Sequence, residues 1–150
     1  MEEILKQIEI KNSPYGFKIL NPASDDKILE LENKIGFKLP EEFIHFYSLC
    51  NGFECHKDIF NFLSVDTILA NDDYGHHWFL FAEYMIYSDS WGLRKNTNGN
   101  FEFFNSAQTI SSHSILEFLK SFSQGNLFEK GGICEWEEKH IKKNNSQPQP

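Results

Sequence analysis

The sequence predicts an α+β domain: a mostly antiparallel sheet of about four to six strands packed against an N-terminal helical hairpin and a C-terminal helix. Three observations predict it. Apolar residues recur at helical spacing between 25 and 50, the texture changes between 60 and 104 to short aromatic and β-branched runs broken by Asn, Asp and Gly, and helical spacing returns at 115–122. Helices gathered at the two ends with strands between them fit this class better than a parallel sheet, which needs strand and helix to alternate.

Ser24 is placed to cap a helix whose first turn holds Asp25 and Asp26, because a serine oxygen and acidic groups suit the unpaired amides there. Ile28, Leu31 and Ile35 follow at helical spacing, and Gly36 supplies the stop. Leu39-Pro40 opens a second helix with proline at its first position, where the missing amide would have had no intrahelical partner. Phe43, Phe46, Tyr47 and Cys50 form its apolar stripe, and Asn51-Gly52 ends it in residues that tolerate positive φ.

Candidate strands are Ile59–Leu63, Trp78–Phe81, Tyr84–Ser88, Gly92–Lys95 and Phe101–Phe104, with Asn98-Gly99 as a hairpin turn between the last two. Val65–Ala70 reads as a brief helix. Ser112 or Ser114 caps the closing helix, Ser114 and Glu117 matching a capping box, with the stripe Ile115, Phe118, Leu119 and Phe122 and a stop at Gly125. Ile133–Ile141 is open between helix and irregular chain. Residues 1–143 are expected to form a single domain, with 144–150 a disordered polar tail.

Composition narrows the function. At 150 residues the chain has room for one core, and its 15 Phe, 5 Tyr and 3 Trp supply ample apolar surface to fill it. Fourteen basic against 22 acidic side chains give a formal charge of −8, a field that repels phosphate backbones and disfavours direct nucleic-acid binding. The longest apolar run, Trp78–Ala82, is far short of the ~20 residues of a membrane span. The acidic start, Met1-Glu2-Glu3, is unlike a secretory leader, and Cys50, Cys55 and Cys134 suit reduced thiols better than a disulfide framework. A cytoplasmic location is expected.

The order Leu31-Glu32, Gly36, Leu39-Pro40, Phe43 within an aromatic-rich helix, and Asn51-Gly52 resembles the SUKH superfamily. The likeness runs more loosely through Phe79–Leu93 and Ser114–Phe122. The resemblance implies an α+β domain used mainly by bacterial immunity proteins that bind and neutralise polymorphic toxins, with fungal cell-wall synthesis regulators as relatives. It carries no catalytic constellation. These positions also have structural readings: Leu31, Leu39 and Phe43 pack the hairpin, Pro40 starts a helix, and Gly36 and Gly52 stop two.

Asp72, Asp73, His76 and His77 invite a metal by residue type, but adjacent residues on an extended loop point different ways, so no metal and no cofactor are expected. Cys50, Cys55 and His56 lack a local fourth ligand, and His45 falls on the polar side of its helix. No GxSxG elbow, GxGxxG loop or P-loop is present, and a non-enzyme is expected.

Between Asp58 and Leu93 stand Asp58, Asp66, Asp72, Asp73, Glu83 and Asp89 without one Lys or Arg. Phe60, Phe62, Tyr74, Trp78, Phe79, Phe81, Tyr84 and Tyr87 share the stretch. Side chains alternate along strands, so some of these rings are expected beside the carboxylates, although a core role for the rings, with acids that merely solubilise, is equally open. The expected contacts with a cognate toxin domain, through an acidic aromatic surface, are Asp72, Asp73, Tyr74, Trp78, Asp89 and Trp91. A regulatory adaptor is the alternative; a metal-dependent hydrolase using Asp72, Asp73, His76 and His77 is a third reading.

Overall fold

Two helices, a run of strands and a closing helix are all present in the computed structural model, which describes residues 1–74, 76–86, 88–105 and 108–141. The elements are α1 (Glu2–Asn12), a 3₁₀ turn (Ser13–Tyr15), β1 (Phe17–Ile19), α2 (Asp25–Ile35), α3 (Glu41–Leu49), β2 (Phe53–Cys55), β3 (Phe60–Phe62), α4 (Val65–Leu69), β4 (Trp78–Tyr84), β5 (Asp89–Lys95), β6 (Phe101–Asn105), β7 (Gln108–Ile110), α5 (Ile115–Gly125) and α6 (Ile133–His140). The seven strands form one antiparallel sheet in chain order. No helix among the described residues is long and apolar enough to cross a membrane.

Register explains why one face is apolar. Phe53, Phe62, Ala82 and Trp91 are aligned across four strands, and Phe79, Leu93, Phe103 and Ile110 across another four, all essentially buried. Helix rings close on that face: Phe43 meets Phe79 and Phe81 at 5.8 and 5.4 Å, Phe46 meets Phe62 at 4.2 Å, and Phe122 stacks on Phe60 at 4.5 Å. A bulge between Leu80 and Ala82 lets both Phe81 and Ala82 be buried from one strand. Every ring contact between helix and sheet falls on this side. The other face carries Lys18, Glu54, Asn61, Glu83 and Ser90 in one row and Leu80, Gly92, Phe104 and Thr109 in the next.

Several boundaries differ from expectation. Pro40 is the cap of α3 rather than its first residue: its ψ of 147° is extended, and its carbonyl accepts the amides of Phe43 and Ile44. The expected strand Tyr84–Ser88 does not exist; β4 continues to Tyr84, and Met85 and Ile86 turn at positive φ (48° and 43°). Ser114 Oγ accepts the Glu117 amide, but the Glu117 carboxylate accepts from Ser112 Oγ, so the box is only half formed. The sheet exceeds the expected strand count through β1, β2 and β7. Residues 144–150, expected to be a disordered tail, lie outside the described residues.

The acid of Leu31-Glu32 has a physical task. Buried Glu32 accepts the amide of Leu39 at 2.7 Å and pairs with Lys38 at 3.6 Å, closing the link from α2 to α3. Asn51 ties the end of α3 to the start of α4 by accepting the Val65 amide (2.8 Å) and donating to Asp66 (2.7 Å). Gly52 has φ 90°, and a Cβ there would stand 2.2 Å from the Phe62 carbonyl oxygen. Replacing Glu32 by Ala leaves the Leu39 amide buried and unpaired, so urea denaturation should show a loss of about 1–3 kcal/mol; a loss below about 0.5 kcal/mol would be that of an ordinary surface change and would contradict this role.

Candidate protein-binding site

The segment from 70 to 77 is held at both ends by the last turn of α2. At its start, Lys34 Nζ donates to the carbonyls of Ile68, Leu69 and Asn71 (3.2, 2.8 and 2.5 Å), a cation on the exposed carbonyls of a helix end. At its finish, the His77 amide donates to the Ile35 carbonyl (2.7 Å), and the His77 carbonyl accepts the amide of Lys95 (2.9 Å). His77 has φ 76°, a conformation rare for a non-glycine residue. Between these anchors Asn71 Oδ1 accepts the Asp73 amide, and Asp72 and Asp73 stand exposed at the tip. Half-buried Tyr74 meets Trp78 edge-on at 5.2 Å.

Four of the six expected contact residues, Asp72, Asp73, Tyr74 and Trp78, are therefore together. Asp89 and Trp91 are not with them. Trp78 pairs with Arg94 and Tyr84 with Asp89, which puts Trp78 and Asp89 at opposite ends of one hairpin, roughly 20 Å of strand apart. Trp91 faces inward with Leu93, is 2% exposed, and packs against Phe60 and Phe118 at 6.0 and 5.9 Å. Its Nε1 donates to Glu137, which also accepts from Asn105; Asn105 in turn donates to Asp89. These groups form an internal polar cluster under α6. Sequence reading missed Glu137 and Asn105, since only the fold brings them to Trp91.

The rings also divide differently. Phe60 and Phe62, and likewise Phe79 and Phe81, are two residues apart on their strands and share the inner face; all four are core. Tyr74, Trp78 and Tyr84 are half-buried, and Tyr87 lies outside the described residues. The run without Lys or Arg stops at Leu93, and the next two residues, Arg94 and Lys95, lie beside Trp78. The surface around Trp78 is thus of mixed sign, not purely acidic.

On the open face Gly92 makes room for a ring. A Cβ at Gly92 would fall 2.2 Å from Phe104 Cζ, so Phe104 lies across that strand and is only 8% exposed. Trp78 meets it at 6.2 Å and the Arg94 guanidinium at 5.1 Å. Arg94 is fixed by Glu102 at Nε and Thr109 at Nη2, both 2.6 Å. His76, His77, Trp78, Arg94, Lys95 and Phe104 line a cavity of about 400 Å³.

The three thiols are held in their protonated form. Burial pushes the Cys50 thiol up to about 11 and raises Cys55 and Cys134 as well. No three of His, Cys, Asp and Glu among the described residues converge to hold a metal ion.

The sequence profile of the SMI1 / KNR4 family (SUKH-1) matches residues 22–125. The chain belongs to this family. Comparison with curated proteins returned no match. The SUKH-1 match runs from just before α2 to the last residue of α5 and so contains the 71–77 loop and the whole open face from β2 to β7. Outside it, the flanks of this SUKH-1 chain bind each other: Asn12 and Asn126, both fully buried, exchange amide hydrogen bonds at 3.2 and 2.7 Å.

Glu137 sits above its ordinary 4.5, chiefly because burial penalises its charge, with its bonds from Trp91 and Asn105 opposing and Asp89 adding to the rise. A carboxyl raised on folding favours the folded state when protonated, so ionised Glu137 costs stability above its folded value, and this cost is gone below about 4.5. Glu137→Gln removes that dependence. The stability of the native chain relative to the variant should therefore rise as the pH of a urea titration falls from 7 to 4; a constant difference would refute the assignment.

Proposed function

We propose that this SUKH-1 chain is a non-enzymatic, cytoplasmic immunity protein that binds a cognate polymorphic toxin domain and neutralises it by occupying its working surface. The family supports the role, and the 71–77 loop supports the place. The observation that carries it is the exposed Asp72–Asp73 pair on a loop anchored at both ends to α2, directly beside Tyr74 and Trp78. A contact segment anchored at both ends loses less entropy on binding than a free loop would. Its acids, in a chain of net −8, accelerate encounter with a basic surface such as a nuclease's substrate groove.

A large neighbouring reading frame ending in a toxin domain is the expected genomic setting; a partner set of several unrelated proteins and no toxin would favour a regulatory adaptor instead.

With the purified partner, Asp72→Lys/Asp73→Lys should slow association by about tenfold or more at low salt and leave dissociation nearly unchanged, because exposed charges act mainly on encounter. An unchanged association rate at low salt would remove the loop from the interface.

A further inference from the structure

We propose that the cavity between Trp78, Phe104 and Arg94 is a receptor pocket for an acidic segment of the partner polypeptide, which seats an apolar or aromatic side chain on the two rings with a flanking carboxylate at the basic rim. The proposal rests on reading the open face as a protein-binding surface, and not on the partner being a toxin.

The floor is built for a side chain. Gly92 leaves room for the far end of the Phe104 ring, Trp78 stands edge-on to it at 6.2 Å with an interplanar angle of 71°, and the two form an apolar corner on a face whose other row is polar. Aromatic corners of this kind are where protein interfaces concentrate binding energy.

The rim selects the charge of what enters. Arg94, Lys95, His76 and His77 line the cavity and, among the described residues, no carboxylate does; the adjoining hollow, lined by Gly36, His77, Lys95, Asn96, Thr97 and Gly99, has none among them either. Glu102 pairs with Arg94 from beside the cavity, so in a chain with 22 acidic against 14 basic groups these two contiguous hollows are set apart by a described lining that presents an incoming carboxylate with no like charge. Glu102 and Thr109 occupy Nε and Nη2 of Arg94 and hold its plane, and among the described residues no hydrogen-bond partner stands at Nη1, the position an incoming oxygen would take. The strained backbone of His77, kept by hydrogen bonds on both sides of the residue, fixes the rim beside it.

A phosphate polymer fits less well, since it would run over Asp72 and Asp73 within a few residues of the rim and meet the net negative charge of the chain. A polypeptide can alternate sign on that scale. Acidic residues in the pocket and basic residues against Asp72 and Asp73 would set the register of the partner on this face, like charges being costly at any other alignment.

The test uses the full chain labelled with nitrogen-15, whose three tryptophans give three indole signals, Trp78 being assigned with Trp78→Phe. The probe is the acetylated, amidated tripeptide Glu-Phe-Glu, with Lys-Phe-Lys and a nucleoside triphosphate as comparisons. A saturable shift of the Trp78 signal with the acidic peptide alone, leaving Trp91 and Trp136 in place, is expected. Lys95→Glu, and independently His76→Glu at an exposed site, should each weaken it by about fivefold or more. No saturable shift, an equal response to the basic peptide, tighter binding of the nucleotide, or indifference to both reversals would overturn the pocket. Should the pocket fail while association with the partner still depends on Asp72 and Asp73, the binding face stands and only its occupant here is wrong.

Discussion

The last turn of α2 presents three groups to three separate parts of the chain. The Glu32 carboxylate takes the Leu39 amide and sets where α3 begins; the Lys34 ammonium closes the carbonyl end of α4; the Ile35 carbonyl receives the His77 amide just before β4. Two of these contacts involve a charged group partly or wholly withdrawn from water, where a hydrogen bond is stronger and its loss more damaging than at the surface. Because one turn of helix makes all three, the position of the 71–77 loop, the start of β4 and the aromatic layer under α3 are not independent. The candidate site inherits its geometry from a helix that does not line it.

That coupling bears on how much was legible in the sequence. α2, α3 and α5 were readable because each combines a 3.6-residue stripe with a serine, proline or glycine at its ends. α1 was not, because its stripe is sparse: only Leu5, Ile8 and Asn12 are buried, and one of them is polar. β1, β2 and β7 are three residues long, too short on their own for a period of two to be seen; β3 is no longer, but it lies within the apolar-rich run Ile59–Leu63. The turn after β4 was hidden by its own residues, since Met85 and Ile86 carry none of the chemistry that marks turns. Of the site, the loop acids and Trp78 could be read locally. The neighbours that change its character could not, because Arg94 stands opposite Trp78 by register and Phe104 reaches it across Gly92, and register is decided by the assembled sheet.

The flanking segments show a different economy. α1 and α6 fall outside the matched family region, yet the Asn12 and Asn126 amides are satisfied only by each other and by close neighbours, Ile8 and Cys55 among them. Lys11 and Lys57 then converge on Glu129 at 2.9 and 2.6 Å, and their hydrogen bonds hold its carboxyl down to about 2. That trio is at the surface and well hydrated, so it adds orientation more than stability. The buried amide pair is what makes the two ends of the chain specific for one another.

Sheets carry a hazard at their borders, and the length of the outer strands bears on it. β1 and β7 expose only three residues of backbone each, and Ile141 already bridges Ile110 on the β7 side. Short, partly capped borders offer a poor template for another strand, so copies of this chain gain little by adding edge to edge. The recognition proposed for side chains on the broad face would thereby be kept apart from the ladder pairing that leads to fibres.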